Sequence, residues 1–336
     1  MTSTASNHPS LSYPPVPRPV LRREVAGVSL PSQALTFSVR STVKPVIDAW
    51  ARAPHLPWPT GVVDRLAFPL KPVPGTHRHP VRLPSCHAEF LAAPGADGAT
   101  AILYLHGGAF LVCGLTTHRQ MVSRISSAAG APVLSVAYRM LPGHPIESAV
   151  EDGIEGLRWL IAHGYPTERI VVAGDSAGGF LTFQVTLEAL RLGLGRPAGN
   201  VALSPLTDLD TRGKLEHPNS YRCALFPRRA VPALAAVIAR IDAASGRPGP
   251  RAVSPVDADL TAMPPTLIQT GSEEMTYVDA ELMARRLAGA GVPCELQVWE
   301  RQVHVFQAAA GLLPEGTRAI REIGRFIRRA TPVSTS

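Results

Sequence analysis

The amino-acid sequence predicts an α/β fold: a mostly parallel central sheet with helices on both faces and a mainly helical cap. Short continuous apolar runs, typical of strands buried on both faces, alternate along the chain with segments of helical periodicity. This alternation is characteristic of a parallel sheet covered by helices. Between residues 207 and 252 the alternation stops and proline and arginine become frequent, so this segment is predicted to be an insertion that contributes to the cap.

The individual elements follow from local patterns. Apolar residues recur at helical spacing from residue 35 to 51, but Pro45 predicts a kink or a division into two short helices. The first two strands are expected to form a hairpin. Strands are predicted at 79–83, 86–92, 101–105, 133–138, 170–173, 200–203, 266–270 and 294–299, and helices near 118–129, 148–163, 180–192, 231–241, 279–289 and 317–329.

The chain is long enough for one large domain with an appendage. Its first residues are rich in Ser, Thr and Pro, which is typical of a disordered or extended tail. The predicted organisation is a tail over 1–20, an N-terminal cap segment over 21–75, a core over 76–330 that includes the cap insertion at 207–252, and a short tail over 331–336.

Composition excludes several classes of protein. Hydrophobic residues make up 45% of the 336 residues and charged residues 18%, as in a globular protein. The net charge is +7, and only Lys44, Lys71 and Lys214 are lysines, so arginine supplies the excess. The arginines are scattered without a basic run interleaved with aromatic residues, so no nucleic-acid partner is expected. The arginines are interpreted as part of a solvated face, where they form local ion pairs and are mildly attracted to anionic surfaces.

The four cysteines indicate neither a disulfide framework nor a zinc site. Cys86, Cys113, Cys223 and Cys294 are far apart and form no C-x-x-C pair, so neither metal nor cofactor binding is expected. Free thiols fit a reducing compartment. No signal-peptide pattern and no apolar run of about 18 residues is present. A cytoplasmic location is therefore expected.

A candidate nucleophile lies where the apolar run ending at Ala173 meets a helical segment. The motif Gly174-Asp175-Ser176-Ala177-Gly178 places a serine at the apex of a strand–turn–helix, the G-x-S-x-G nucleophile elbow. A strained turn projects the hydroxyl of Ser176 towards a base. Glycines flank the serine because side chains there would collide where strand and helix approach each other.

Candidate oxyanion donors follow another predicted strand. The run His106-Gly107-Gly108-Ala109-Phe110 has little side-chain bulk, so its backbone N–H groups can approach a substrate closely. The N–H group of Ala177 would supply a further donor. Gly107, Gly108, Ala109 and Ala177 are therefore the candidate oxyanion hole, and a structural hydrogen bond is expected for His106. Both loops follow the carboxyl ends of predicted parallel strands. This is the edge of the sheet at which α/β proteins bind ligands.

A base and an acid complete the constellation. His304 follows the last predicted strand, where the base of this motif order is expected. Glu274, Glu273 and Asp279 follow the preceding strand and compete for the role of the acid. Glu274 is favoured because it leaves the strand end early, whereas Glu273 is expected to point away and Asp279 to act as a helix N-terminal charge. Asp208 is expected to be structural.

With these residues in place, the chain resembles an α/β-hydrolase of the hormone-sensitive-lipase family of carboxylesterases, similar to the actinobacterial lipase/esterase-like members. The resemblance covers roughly residues 85 to 328. It depends on the nucleophile and oxyanion motifs, Tyr138-Arg139, Ser204-Pro205-Leu206-Thr207-Asp208-Leu209, Glu274 and His304-Val305-Phe306. It implies an α/β-hydrolase fold, a cap made of the N-terminal segment and an insertion after the sixth strand, and oxyanion donors from the His-Gly-Gly loop and Ala177.

The chain departs from the family pattern without losing a catalytic group. Ala109 stands where the family usually has a third glycine, Glu274 replaces the commoner aspartate, and Arg301-Gln302-Val303 lacks the usual glycine before the histidine. The resemblance implies a serine carboxylesterase, with Ser176, Glu274 and His304 as catalytic residues, that hydrolyses small to medium acyl esters through an acyl-enzyme without a cofactor.

Two alternatives remain open at this point. One is a lipase that acts on longer acylglycerols at a membrane surface, and the other is a non-catalytic ligand-binding member of the same fold. The expected partner is a small-molecule ester; contact with a membrane surface is not required, and the sequence leaves a homo-oligomer open.

Overall fold

The computed structural model describes residues 18–67, 69–96, 98–246 and 253–332. Its strands form a single sheet in the order β1-β9-β8-β7-β6-β4-β5-β3-β2. Strands β2 and β3 are antiparallel to their neighbours, and all the other pairs are parallel. The strands are β1 (Leu21–Val25), β2 (His77–Arg82), β3 (His87–Ala92), β4 (Ala101–Leu105), β5 (Val133–Ala137), β6 (Ile170–Asp175), β7 (Gly199–Leu203), β8 (Thr266–Gly271) and β9 (Cys294–Trp299). The predicted α/β class and the hairpin of β2 and β3 are confirmed.

Helices flank the sheet and form the cap. They are α1 (Leu30–Arg52), α2 (Gly61–Leu66), α3 (Leu115–Ala129), α4 (Ile146–Ala162), α5 (Ala177–Arg191), α6 (Arg212–Glu216), α7 (Asn219–Arg222), α8 (Ala230–Ala244), α9 (Tyr277–Gly289) and α10 (Pro314–Ala330). Short 3-10 helices lie at Thr167–Arg169, Pro255–Asp257 and Phe306–Ala309. None of the helices in the described ranges is both long enough and apolar enough to cross a bilayer.

Alternation along the central strands assigns the helices to the two faces. In β4, Leu103 and Leu105 pack in the core cluster that holds residues of α4 and α5, whereas Ile102 and Tyr104 pack in the cluster that holds residues of α3 and α10. Successive side chains of a strand point to opposite faces, so every residue of β4 is buried. This explains why the parallel strands are recognisable in the sequence as continuous apolar runs.

Strand β1 is an element that the sequence pattern did not reveal. It pairs in parallel with β9 at the edge of the sheet, and of its five residues only Val25 is buried. Because Arg22, Arg23 and Glu24 face solvent on an edge strand, the stretch lacks the apolar run expected of a buried strand. The segment that begins at residue 21 therefore adds a strand to the sheet before the cap helix.

Helix α1 packs against α8, which brings the two predicted cap segments together. The expectation of two short helices is wrong, because α1 continues through Pro45. Pro45 and Ser41, whose carbonyl loses its helical donor, are both exposed, so water can satisfy that carbonyl. Residues 1–17 and 333–336 of the predicted tails, and 247–252 of the predicted insertion, lie outside the described residues.

Candidate active site

The turn between β6 and α5 has the strained geometry expected of an elbow. Ser176 adopts φ 53° and ψ −116°, and it is 8% exposed. A Cβ atom on Gly178 would lie 1.9 Å from the carbonyl oxygen of Leu105, and one on Gly174 would lie 2.3 Å from the carbonyl oxygen of Gly178. The flanking glycines are therefore required by the close approach of strand and helix, as the motif predicted. The N-terminus of α5 lies directly beneath the hydroxyl and favours negative charge there.

The loop after β4 follows a left-handed path. Gly108, Ala109 and Phe110 have φ values of 116°, 55° and 60°. The N–H groups of Gly108, Ala109 and Ala177 have no acceptor among the residues that the structure describes. These three groups are therefore available to a ligand.

Gly107, the fourth candidate donor, has a different contact. Its N–H group donates to Asp175 Oδ1 at 3.1 Å. A Cβ atom at this position would lie 2.1 Å from Asp175 Oδ2, so glycine is needed for the carboxylate to approach the loop. The structure thus places Gly107 as an anchor of the loop, with its N–H group already occupied.

Asp175, the variable residue of the elbow motif, is the centre of a buried polar network that the sequence did not reveal. Its carboxylate accepts the Tyr104 hydroxyl at 2.7 Å and lies 3.2 Å from His118 Nε2. His118 Nδ1 in turn lies 2.9 Å from the Thr117 hydroxyl oxygen and 3.2 Å from the carbonyl oxygen of Gly114. The imidazole is therefore held through both of its nitrogens. In the sequence, the sign of such a network is an aspartate at the end of a buried apolar strand.

The charges of this network follow from its geometry. Burial alone would lower the pKa of His118 and raise that of Asp175, but their mutual attraction prevails, so the pKa of His118 is raised and that of Asp175 is lowered. Burial, reinforced by the charge of His118, lowers the pKa of His106 to about 4. The neutral His106 ring stacks on Tyr138 at 4.3 Å, and its Nδ1 lies 2.7 Å from the Gly107 carbonyl oxygen. His106 thus has the structural hydrogen bond that was expected.

The buried pair makes stability depend on pH. Because the folded-state pKa of His118 is raised above 6.5, its pairing stabilises the protein fully below pH 6.5, and this contribution disappears as the pH rises through the folded-state pKa. We expect His118→Gln to lower the free energy of unfolding more at pH 6 than at pH 9. Urea denaturation of the variant and the wild type at both pH values measures this difference. An equal loss at both values would contradict an ionic pair.

The loop after β9 brings His304 to Glu274. His304 Nδ1 lies 2.7 Å from Glu274 Oε2, and the two side chains are 4% and 1% exposed. Glu274 Oε1 accepts the Ser204 hydroxyl at 2.8 Å as well as the Gly271 N–H group. The ring of Phe226 meets that of His304 edge-on at 4.8 Å. The imidazole is therefore enclosed, oriented by a carboxylate and shielded from bulk water.

Ser204, at the end of β7, joins the acid and base loops. Its hydroxyl donates to Glu274 and accepts the N–H group of Val305 at 3.1 Å. Val305 and Arg301 adopt φ values of 53° and 47°, so they supply the left-handed turns for which a glycine would ordinarily be used. No role for Ser204 had been derived from the residues, because its contacts link segments distant in sequence.

The competing carboxylates lie elsewhere. Asp279 binds Lys214 Nζ at 2.8 Å and accepts the N–H groups of Thr207 and Asp208 at 2.9 and 3.1 Å. Asp279 therefore links α9 to the loop that follows β7 in the interior of the protein. The structure brings Glu274, the favoured acid, into contact with His304, and it places Asp279 against Lys214.

Ser176, Glu274 and His304 come from the carboxyl ends of β6, β8 and β9, with β7 and its Ser204 between them. Neither the Ser176 hydroxyl nor His304 Nε2 has a hydrogen-bond partner among the described residues. His304 Nε2 is buried, and none of the described residues forms a hydrogen bond with it. This nitrogen is therefore available to accept a proton. The hydrogen bond between serine and base is commonly long before substrate binds.

A narrow cleft lies beside His304 at the junction of cap and core. Its lining includes Thr36 and Arg40 of α1, Arg222 of α7, and Arg301, but neither Ser176 nor any of the candidate oxyanion donors. A second surface pocket, lined by residues such as Leu260 and Arg286, contains none of the candidate site residues.

One group of side chains has the composition of a metal site. Ligand atoms of Cys86, Asp152 and Glu155 lie within 4.8 Å of one another. However, Asp152 is bound by the side chain and backbone N–H of Arg139, and Glu155 accepts the N–H and hydroxyl groups of Ser85. Burial raises the pKa of the Cys86 thiol to about 12, so it stays protonated. We therefore interpret this group as structural.

Comparison with known proteins agrees with the fold. A family model described as the α/β-hydrolase fold matches residues 102–308, and the chain belongs to this family. It is 44% identical over 296 residues to the esterase LipU of Mycobacterium tuberculosis, covering 86% of this chain and 99% of LipU. It is 41% identical over 317 residues to the carboxylesterase/phospholipase LipF of the same organism, covering 92% of this chain and 84% of LipF.

Solved structures lead to the same family. An esterase from the bacterial hormone-sensitive lipase family superposes with a TM-score of 0.79 at 32% identity, covering 91% of this chain and all of that chain. A structure of EstE5 soaked with p-nitrophenyl butyrate superposes with a TM-score of 0.79 at 30% identity, with the same coverage of both chains. The predicted membership of the hormone-sensitive-lipase family is confirmed, and the chain is a carboxylic ester hydrolase.

Proposed function

We propose that this chain is a serine carboxylesterase that hydrolyses esters of small to medium acyl chains through an acyl-enzyme intermediate. The observation that carries the proposal is the 2.7 Å contact between His304 and Glu274 at the same sheet edge as the strained Ser176 turn. The carboxylate accepts a proton from Nδ1 and so leaves Nε2 as the basic nitrogen. A buried imidazole held in one tautomer is suited to activate a serine hydroxyl.

In the first half-reaction, Ser176 Oγ attacks the ester carbonyl carbon while His304 Nε2 takes the hydroxyl proton. The carbonyl oxygen becomes an oxyanion, for which the N–H groups of Gly108, Ala109 and Ala177 are available donors. Collapse of the tetrahedral intermediate breaks the bond to the alcohol, which leaves with the proton from His304. Glu274 stabilises the imidazolium in the interval but keeps its own charge.

In the second half-reaction, a water molecule loses a proton to His304 and attacks the acyl carbon. The tetrahedral intermediate then expels Ser176, which recovers its proton from His304, and the carboxylic acid is released. Each step calls on side chains and N–H groups of this chain, so no cofactor enters the proposed reaction.

The surroundings of the base support the preference for shorter acyl chains. Residues of α1 and α7 of the cap lie beside His304, and the Phe226 ring packs edge-on against the imidazole. A base enclosed in this way is better suited to small ligands than to long chains. The contact of Glu274 with His304 speaks against the alternative of a non-catalytic ligand-binding protein, because a binding module has no need of an oriented base.

We expect kcat/KM for p-nitrophenyl butyrate and octanoate to exceed that for the palmitate ester by at least about tenfold, a difference of roughly 1.4 kcal/mol in transition-state stabilisation. Initial rates of the purified protein across a series of acyl lengths, below the concentration at which each ester aggregates, give the comparison. A preference for palmitate in that series would favour the long-chain lipase alternative.

A further inference from the structure

The narrow cleft beside His304 is bordered by cationic side chains, and exposed aromatic residues are adjacent to them in sequence or on the same helix. We call this surface the cap rim and define it by Phe37, Arg40, Tyr221, Arg222 and Arg301. Arg40, Arg222 and Arg301 line the cleft together with His304, and an Arg40 N–H group donates to the Arg222 carbonyl oxygen at 2.9 Å. The arginines of the rim therefore lie beside the candidate base.

The two aromatic residues of the rim are largely uncovered. Phe37 is 73% exposed, and Tyr221 is 74% exposed. Leu30, two turns before Phe37 on the same side of α1, is 78% exposed, and Ser32 is the one buried residue of this long helix. The Arg228 guanidinium lies over the Tyr221 ring, 5.0 Å from its centroid. Phe37 lies about one turn from Arg40 on α1, and Tyr221 precedes Arg222, to which Arg40 donates a hydrogen bond. Exposed apolar side chains grouped around such a contact indicate a contact surface.

The charges of the rim specify what kind of surface it can contact. Arg40, Arg222, Arg301 and the neighbouring Arg228 outnumber the carboxylates Glu273, Glu274 and Glu300. Glu274 is buried against His304, so it contributes little charge at the surface. Glu300 lies 3.8 Å from the Arg301 guanidinium and also accepts the N–H group of Gly27. The remaining cationic charge faces solvent.

The carboxylates carried by the two N-terminal cap helices do not offset this charge. Asp48 pairs with Arg52 and Arg229, and Asp64 accepts the N–H and hydroxyl groups of Thr117. Both are therefore committed to contacts within the protein. The cap presents apolar side chains beside uncompensated cationic ones.

We infer that the cap rim docks on the surface of a bilayer that contains anionic phospholipids, so that the side of the cap next to His304 faces the lipid. The inference deepens the proposed function and rests on it, because the position of the rim beside His304 matters only if His304 serves catalysis. Aromatic rings occupy the boundary between acyl chains and headgroups, and arginines bind the lipid phosphates. A second copy of this chain fits the rim poorly, because a symmetric contact would oppose the same arginines.

The test uses the full-length Ser176→Ala variant, so that binding is measured without turnover. We expect it to co-sediment with vesicles of phosphatidylcholine and phosphatidylglycerol, not with pure phosphatidylcholine, and to be released as salt is raised. Arg222→Glu, added to this background, should weaken binding by at least about fivefold, because one cation near an anionic surface contributes about 1 kcal/mol. Phe37→Ser and Tyr221→Ser should each weaken it measurably, because each removes an aromatic ring from the boundary between acyl chains and headgroups.

Leu312→Ser and Arg321→Glu are matched controls. Leu312→Ser removes an apolar residue that is 79% exposed, and Arg321→Glu removes an exposed arginine. Both positions lie outside the rim, so both variants should bind vesicles as the parent does. Thermal melting of every variant checks that the fold is intact. Absence of vesicle binding, equal binding to both lipid compositions, equal weakening by rim and control variants, or a change of oligomeric state in the rim variants would each overturn the docking proposal.

Turnover of soluble p-nitrophenyl butyrate by the wild type tests the proposed function separately. Vesicle binding that depends on the rim supports docking whatever the esterase assay shows, and esterase activity without such binding overturns docking alone. The two failures are therefore distinguishable.

Discussion

Replacing Ser176 by Ala is expected to lower kcat for p-nitrophenyl butyrate by roughly 10⁴- to 10⁶-fold, because the acyl-enzyme can no longer form. Oxyanion donors and substrate binding would supply the residual rate. Stability should change little, since the Ser176 hydroxyl has no hydrogen-bond partner among the described residues and alanine fits the same backbone. Steady-state kinetics and urea denaturation measure the two effects.

Ser41→Ala is a suitable control for this experiment. Ser41 is an exposed serine on α1, so the same chemical change there should leave the rate unaltered. A Ser176→Ala variant that folds and retains wild-type turnover would remove the basis of the proposed mechanism.

Replacing Glu274 by Ala is expected to lower kcat by roughly 10²- to 10⁴-fold. The loss has two physical causes: His304 Nδ1 loses its acceptor at 2.7 Å, and the imidazolium loses a buried counter-charge. Glu274→Gln should be similarly impaired, because an amide oxygen can orient the ring but cannot supply the charge. The pre-steady-state burst of p-nitrophenol reports whether acylation is the slowed step.

Glu273 provides the matched carboxylate, since it is adjacent in sequence and no contact with His304 is found for it in the described part of the chain. Glu273→Ala should therefore retain activity of the same order as the wild type. Comparable losses at the two positions would show that the contact with His304 is not what matters at Glu274.

Much of the fold could be predicted from the sequence because its central strands are buried on both faces. Residues 101–105 and 133–137 are continuous apolar runs for this reason. Strand β1 escaped prediction because an edge strand with one buried residue carries no such run. The sequence left open whether Pro45 kinks or divides the helix, since the outcome depends on the exposure of that side of α1.

Some features of the candidate site could likewise be predicted from the sequence, and others could not. Ser176 and the glycines around it are recognisable because one local turn imposes severe steric limits. Glu274 could be favoured over Asp279 by its position in the loop, but the engagement of Asp279 with Lys214 required the fold. The Asp175–His118 pair and the bridging role of Ser204 depend on contacts between residues 57 to 101 positions apart, which no local pattern encodes.

Mass spectrometry after brief exposure to a fluorophosphonate probe tests the central claim most directly, since such probes phosphonylate a serine that a neighbouring base has activated, with loss of fluoride. We expect one adduct, on Ser176, and we expect it to form at least about a hundredfold more slowly in His304→Gln than in the wild type. An adduct on another residue, or a rate of modification that is unchanged by His304→Gln, would contradict the central claim.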